Sequence, residues 1–503
     1  MTGLVRQAAV VAWALGLSLQ ALGQSAADPP MVIRDRFGRD LAQRGITLVD
    51  WQGHIANPAI PLKVELSGRV NLPARVVMKA NGQRLMFNLF SDVGSQGPEK
   101  TIFLDGPSRT ASFFMSVFPD RDAHDETYRL SLELTTGVGE RRTASWPIRV
   151  IDQDRDMPDA YPMHLDFTHD ALGFFGDPAI RRTIEQAARD WAYFFDDQGF
   201  APVAAGAETA WIHEPDTFER GRTVTNATDY RGFLLFAQSI RGPERRSGGR
   251  CSDQGGLQVR DGRKTGLRRS GTVISEVTGN WNGLGWSVEE SDDRWWTSSN
   301  HAREPHDYYS VVRQEIGHAL LYHRPIPGFG KLIRSGRVRD RELERYLGGA
   351  PAINASEHLF QTVDPVSRVG AFGNEYGGDM PRKRWLITKV DLLVARAAGY
   401  RLRETTPLMP LEANARLAIA VRVGEPVQSS LQIRGGIPAY DCQIVRGSLP
   451  DGVALDPFTG AITGSPRRPG RYRATVEVRD NDPADPKTRV EVTVGVMGRE
   501  SGS

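Results

Sequence analysis

The segment from Asp307 to His323, DYYSVVRQEIGHALLYH, contains the most specific functional signal in the chain. Apolar residues recur along it at helical spacing, which predicts one amphipathic helix. Its centre, residues 314–318, has the sequence QEIGH. Residues four apart lie on the same face of a helix, so Gln314 and His318 are expected to be neighbours, with Glu315 beside them.

This spacing is that of the H-E-x-x-H motif, with one replacement. In the motif, two histidines bind one Zn²⁺ ion and the glutamate deprotonates a zinc-bound water. Glu315 and His318 match the motif, whereas Gln314 stands where the first histidine would be. A glutamine carbonyl is neutral and a much poorer zinc donor than imidazole. The replacement therefore predicts zinc binding that is weaker by several orders of magnitude.

The string EIGHAL and the apolar residues before it resemble the active-site helix of secreted bacterial matrixin-like metallopeptidases, which are metzincins within the zincin group. The resemblance covers roughly residues 160–400. Residues 378–381 (GDMP) and 385–400 are similar to the Met-turn and closing helix of that family, and residues 175–178 (FGDP) to the start of its opening helix. The resemblance implies zinc as cofactor, Glu315 as general base and Met380 beneath the metal.

The third zinc ligand has several candidates. The family pattern would place Gly at 321 and His at 324, but the chain has Leu321 and Arg324. His323 follows His318 by five residues and would point about 140° away on a continued helix. His358, about 40 residues further on, is the preferred candidate. We therefore predict Gln314, His318 and His358 as the metal-binding set, with Glu357, Asp364 or Asp379 as acidic alternatives.

Three folded blocks follow a leader segment, and 503 residues suffice for about three domains. Residues 30–152 contain short alternating segments between turn residues, which predict a β-sandwich. Residues 158–405 predict the mixed α and β block, with helices that start at Asp177-Pro178 and at Thr388. Residues 271–306 are rich in Gly, Asn, Ser and Trp and indicate a long irregular wall.

Residues 412–497 predict a second strand-rich domain. Residues 435–466, GGIPAYDCQIVRGSLPDGVALDPFTGAITGSP, resemble the Ig-like, cadherin-like domains of bacterial secreted proteins. The resemblance implies an adhesion or spacing module with a cell-surface or matrix ligand. The predicted fold class is therefore multidomain: an N-terminal β-sandwich, a central α+β zincin-like metallopeptidase domain and a C-terminal Ig-like β-sandwich.

The N-terminus predicts export. Residues 1–23 contain Arg6, an apolar run over residues 8–22 and small residues at 21 and 23, which is the layout of a signal peptide. An uncleaved membrane anchor is the alternative. The predicted location is secreted, periplasmic or cell-surface, with no membrane span after cleavage.

The composition excludes some partners and leaves two small questions open. Lys and Arg number 63 and Asp and Glu 61, a balance that argues against a nucleic-acid partner. Cys251 and Cys442 could pair or remain two buried thiols. The acidic run 152–156 (DQDRD) could bind Ca²⁺ or form a solvated linker.

Two functional hypotheses follow. The first is a secreted zinc-dependent metallopeptidase that hydrolyses peptide bonds of a protein or peptide substrate. The second is a catalytically inactive homologue that acts as an extracellular binding or adhesion protein. Position 314 separates them, because a working zinc site needs a ligand there.

Overall fold

The computed structural model describes residues 31–67, 70–82, 84–87, 99–105, 108–120, 122–154, 160–217, 219–241, 249–251, 256–260, 263–277, 286–288, 306–373 and 385–498. Several predictions fall at least partly outside these ranges: the signal peptide at 1–23, the Met-turn at 378–381 with Asp379, most of the segment 271–306, and the second half of the acidic run at 155–156.

The first part of the chain forms two β-sheets. Its strands are β1 Met31–Asp35, β2 Ile46–Asp50, β3 Ile60–Leu66, β4 Ala74–Ala80, β5 Leu85–Met86, β6 Glu99–Leu104, β7 Thr110–Val117, β8 Glu126–Thr136 and β9 Arg141–Asp152. One sheet has the order β1-β3-β7-β5 and the other β2-β9-β8-β4-β6. Alternate residues of β8, Leu130, Leu132 and Leu134, are buried, because successive side chains of a strand point to opposite faces.

In its described residues, the central part combines strands with five α-helices. Its strands are β10 Met163–Asp166, β11 Thr209–His213, β12 Arg220–Thr225, β13 Phe233–Ile240, β14 Gly249–Cys251, β15 Leu257–Arg260, β16 Arg263–Arg268, β17 Ser270–Glu276, β18 Trp286–Ser287, β19 His306–Asp307, β20 Ile333–Arg334, β21 Arg337–Val338, β22 Ala352–Ile353 and β23 Leu359–Phe360. The helices are α1 Pro178–Phe194, α2 Tyr308–Leu320, α3 Pro327–Gly330, α4 Arg341–Leu347 and α5 Lys389–Ala398. The main sheet has the order β10-β13-β17-β14, in which the first three strands are parallel and β14 is antiparallel to β17.

The expectation of an irregular wall over residues 271–306 was wrong at its start. Ser270–Glu276 forms strand β17, and every residue in it is buried. The polar residues of β17 made this buried strand hard to recognise in the sequence. In the structure their side chains have partners: the Thr272 hydroxyl donates to the Trp211 carbonyl at 2.8 Å, and the Ser275 and Tyr308 hydroxyls are 2.9 Å apart. Residues 278–285 and 289–305 lie outside the described part.

Helix starts followed the capping residues expected from the sequence. Asp177 accepts hydrogen bonds from the first turn of α1, and Thr388 and Asp391 form a capping box at α5. Helix α2 ends at Leu320, three residues before the predicted His323. Pro325 disfavours helical geometry in the residue before it, which limits any continuation of the helix in this direction.

The C-terminal part has its own hydrophobic core. Its strands are β24 Arg416–Arg422, β25 Val427–Ser430, β26 Asp441–Gly447, β27 Val453–Leu455, β28 Ala461–Gly464, β29 Gly470–Arg479 and β30 Lys487–Met497. They form sheets of order β24-β30-β29-β26 and β25-β28-β27. Valines of β29 and β30 fill the core between them, whereas the first two parts of the chain share one continuous core. Cys442 is a buried free thiol.

Within the described ranges, the structure contains no helix that combines the length and apolar character needed to cross a membrane.

Candidate metal centre

Helix α2 carries three of the predicted site residues on one stretch. Glu315 and His318 are buried, with exposed fractions of 6% and 7%, and Gln314 is half-buried. Gly317, between them, lets the helix approach its neighbours closely. A Cβ atom at Gly317 would lie 2.5 Å from Phe372 Cε2 and 3.0 Å from Trp191 Cζ2, so the packing leaves no room for a side chain.

The structure brings His358 from a distant turn to this face of α2. The Nε2 atoms of His358 and His318 are 3.1 Å apart, and the Nε2 atom of Gln314 is 3.1 Å from that of His358. Three of the four predicted site residues therefore meet at one point. Glu315 lies next to Gln314 on the same helix.

A backbone carbonyl fixes the tautomer of His318. Its Nδ1 atom is 2.8 Å from the carbonyl oxygen of Tyr322, which can only accept, so Nδ1 carries the proton. The lone pair is then on Nε2, the atom that faces His358. Burial, together with the nearby His358, lowers the pKa of His318 to about 3. The imidazole is therefore neutral at physiological pH, as a metal ligand must be.

The position of His358 is set by its turn and by a glycine. The His358 backbone N–H donates to Asn354 Oδ1 at 2.9 Å, which closes the turn between β22 and β23. A Cβ atom at Gly373 would lie 2.2 Å from His358 Cγ, and Gly373 has a φ of +61°. The ring of His358 thus occupies space that only a glycine at position 373 leaves free.

The geometry of the two histidines fits a zinc ion. Two nitrogens bound to one tetrahedral zinc at about 2.0–2.1 Å lie about 3.3–3.4 Å apart, close to the observed 3.1 Å. The amide of Gln314 presents nitrogen toward His358, and rotation of the amide plane by a half-turn would present its oxygen instead. The residues at this point can therefore supply two nitrogen donors and one weak oxygen donor.

His323, the alternative ligand, has another partner. Its Nδ1 atom is 2.6 Å from Glu357 Oε2, and the Arg324 backbone N–H donates to the other oxygen of Glu357 at 3.0 Å. Burial alone would raise the pKa of Glu357, but the hydrogen bonds from His323 and Arg324 lower it below its usual range. Glu357 and His323 are therefore paired with each other after the end of α2.

Asp364, one of the acidic alternatives, has partners of its own. Asp364 is fully buried, and its two oxygens accept hydrogen bonds from the Tyr346 hydroxyl and from the backbone of Val366, Ser367 and Val390. It therefore organises its own loop. Asp379 and Met380 lie outside the described residues.

A buried ionic network joins helix α2 to helix α1. Asp190 on α1 accepts a hydrogen bond from Arg313 Nη1 at 3.0 Å and lies 2.5 Å from His54 Nδ1. The Tyr309 hydroxyl also donates to this carboxylate. No local sequence pattern specifies this network, although a charged Arg313 inside a mostly apolar helix is a signal that a buried partner exists.

A second set of contacts lies behind His318. The ring of Tyr322 stacks on Phe372 with centroids 3.7 Å apart, and Phe372 meets His318 edge-on at 4.7 Å. The Tyr322 hydroxyl donates to Asp391 Oδ1 at 2.7 Å. Tyr322, whose carbonyl orients His318, is thus itself hydrogen-bonded to α5.

A family model matches the C-terminal part of the chain. Residues 410–495 match the family described as "Putative Ig domain". The C-terminal part is an Ig-like domain. This agrees with the resemblance of residues 435–466 in the sequence and with the separate core of that part. No curated protein matches the chain.

Several solved structures resemble parts of the chain. A protein titled a putative alpha-galactosidase from Bacteroides fragilis is 19% identical over 17% of this chain, with a TM-score of 0.15, and the match spans only 17% of its own length. The N-terminal domain of PorA is 12% identical, covers 24% of this chain and 97% of its own length, and has a TM-score of 0.18. The PKD domain of the KIAA 1837 protein is 21% identical, covers 18% and 90%, and has a TM-score of 0.14.

Proposed function

We propose that the central part of the chain is a zincin-like metallopeptidase domain that hydrolyses peptide bonds with a zinc-activated water. The observation that carries this proposal is the 3.1 Å separation of the His318 and His358 Nε2 atoms beside Gln314, on the helix that also holds Glu315. The proposed resemblance would assign the helices at residues 178–194, 308–320 and 389–398 to the opening, active-site and closing helices of that family.

In this proposal, His318 and His358 would hold the metal through Nε2, and Gln314 would add its amide oxygen. Zinc, when bound, supplies a Lewis acid that lowers the pKa of a water toward about 7. Glu315 accepts a proton from the attacking water and returns it to the leaving amine. Its buried position keeps this proton transfer away from bulk solvent. The Tyr322 carbonyl keeps the Nδ1 proton of His318 in place and leaves Nε2 free.

The proposed setting is extracellular. The signal-peptide pattern in residues 1–23 supports secretion, export to the periplasm or display at the cell surface. The proposed substrate is a protein or peptide. The Ig-like domain would bind a cell-surface or matrix ligand and so hold the peptidase part near its substrate.

The identity of residue 314 favours a second candidate function. An amide in place of an imidazole weakens the metal site, so the chain could be an inactive peptidase homologue that serves as a binding or adhesion protein. In that case the wild-type protein binds no zinc at micromolar concentrations, and only Gln314→His acquires a zinc site.

Substitution of the general base tests the catalytic proposal. Glu315→Gln preserves side-chain size and removes the base, so kcat/KM for hydrolysis of casein should fall by about 10²–10⁴-fold. Glu133→Gln, at an exposed position of β8, is the matched control and should leave the activity unchanged. Activity of Glu315→Gln within a factor of two of wild type would assign the hydrolysis to another site.

A further inference from the structure

The buried carboxylate of Asp391 makes more contacts than a helix cap requires. Its Oδ2 atom completes the capping box of α5, since it accepts the Thr388 backbone N–H at 2.7 Å and the Thr388 hydroxyl at 2.8 Å. Its Oδ1 atom accepts two further hydrogen bonds, from the Tyr322 hydroxyl at 2.7 Å and from the Phe372 backbone N–H at 3.2 Å. These two contacts lead away from α5 toward the histidine site.

The contact with Tyr322 leads to His318. The Tyr322 carbonyl lies 2.8 Å from His318 Nδ1 and fixes the proton there, which leaves the Nε2 lone pair free. The hydroxyl at the far end of the fully buried Tyr322 side chain is the group that Asp391 holds. The orientation of the His318 ring therefore depends on where Asp391 holds Tyr322.

The contact with Phe372 leads to His358. The Phe372 carbonyl accepts the backbone N–H of Leu359, the residue directly after His358, at 3.0 Å. The next residue, Gly373, provides the space in which the His358 ring lies. The Phe372 ring also meets the His358 ring edge-on, with the centroids 6.0 Å apart. The backbone that Asp391 holds at Phe372 thus supports the loop and the ring of His358.

We propose that Asp391 is a positioning residue that holds both histidines of the candidate metal centre in the geometry a zinc ion needs. The proposal rests on the proposed function, because it concerns the same pair of histidines. All the groups that reach Asp391 are N–H or O–H donors, so the ionised carboxylate is the form that accepts from all of them. Burial raises the pKa of Asp391 to about 6, which leaves the carboxylate ionised at pH 7.5.

Zinc affinity tests the proposal in the full chain that carries Gln314→His, measured by competition with a chromophoric chelator at pH 7.5. Residues that orient metal ligands contribute about 10–100-fold to metal affinity. Tyr322→Phe removes one of the supports and should weaken zinc binding by about tenfold, and Asp391→Asn disturbs both and should weaken it by about 10–100-fold. Circular dichroism shows whether each variant is folded.

Tyr346→Phe is the matched control. The Tyr346 hydroxyl donates to Asp364 at 3.1 Å, and Asp364 in turn accepts the Val390 backbone N–H at the start of α5. This variant removes a hydrogen bond of the same kind, between a tyrosine and a buried aspartate that contacts the same helix, and it should leave zinc affinity unchanged. Equal losses in Tyr322→Phe and Tyr346→Phe, or an unchanged affinity in Tyr322→Phe, would overturn the proposal.

A measurement on the metal-free wild-type chain separates this proposal from the proposed function. If Gln314→His binds no zinc, the proposed function loses its metal site, but the ring of His318 still reports on Tyr322. In protein labelled with ¹⁵N-histidine, the Nδ1 proton of His318 should exchange with water about tenfold faster in Tyr322→Phe than in wild type, because one supporting hydrogen bond is lost. Tyr346→Phe should keep the wild-type rate. The same rate in Tyr322→Phe and wild type would overturn the positioning role, whether or not zinc binds.

Discussion

Removal of His358 should lower zinc affinity far more than removal of His323. His358 Nε2 lies 3.1 Å from His318 Nε2, whereas His323 is paired with Glu357. Structural zinc sites bind with about 10–16 kcal/mol for four ligands, or about 2.5–4 kcal/mol per ligand. At about 1.4 kcal/mol per tenfold, His358→Ala should weaken zinc binding by about 10²–10³-fold. His323→Ala should change it by less than about threefold, since it loses only a partly exposed ion pair.

The assay is competition with a chromophoric zinc chelator at pH 7.5. Both variants are made in the Gln314→His background, so that affinity is high enough to measure. Circular dichroism shows whether each variant is folded. Equal losses for the two variants, or a larger loss for His323→Ala, would refute the assignment of His358. A carboxylate or His323 would then take its place as ligand.

Two further substitutions test the support of helix α2. Gly317→Ala should lower the free energy of unfolding by about 1–2 kcal/mol in a guanidinium titration. A Cβ only 2.5 Å from Phe372 places the overpacking cost at about 2–3 kcal/mol, which exceeds the gain of about 1 kcal/mol in helix propensity. Gly349→Ala, where a Cβ has open space, is the control, and a Gly317→Ala variant as stable as wild type would contradict the packing. Asp190→Asn should cost about 3–5 kcal/mol, because it leaves the buried Arg313 without its counter-charge. Burial alone would raise the pKa of Asp190, but His54 and Arg313 lower it below its usual range. The stability that the Asp190 carboxylate contributes should therefore be complete above about pH 4, and it should decline as the pH falls through the lower pKa of the folded state. If the difference in unfolding free energy between wild type and Asp190→Asn does not shrink between pH 4 and pH 2, this account is contradicted.

Local sequence patterns were sufficient to predict several elements. The caps at Asp177 and Thr388 depend on side chains next to the helix ends, so a short stretch of sequence contains the information. Strict alternation likewise predicted β29 at residues 470–479. Strand β17 was missed because it is covered on both faces and lacks alternation.

The site was harder to predict than its helix. Residues 314–318 lie on one helix and could be placed together from their spacing alone. The approach of His358 depends on a turn about 40 residues away and on Gly373, and no local pattern specifies that contact. The same holds for Asp50 and Asp120, which lie 70 residues apart in the chain and next to strands of different sheets, yet the Asp120 backbone N–H donates to Asp50 Oδ2 at 3.3 Å.

Zinc content measured by elemental analysis tests the central claim most directly. The purified full chain and Gln314→His are depleted of metal, exposed to one equivalent of zinc at micromolar concentration and desalted. The account predicts close to one zinc per chain in Gln314→His, a lower but measurable content in wild type, and loss of zinc from both when His318 is replaced by Ala. Zinc in Gln314→His alone would favour the inactive binding protein, and no zinc in either protein would contradict the metal centre altogether.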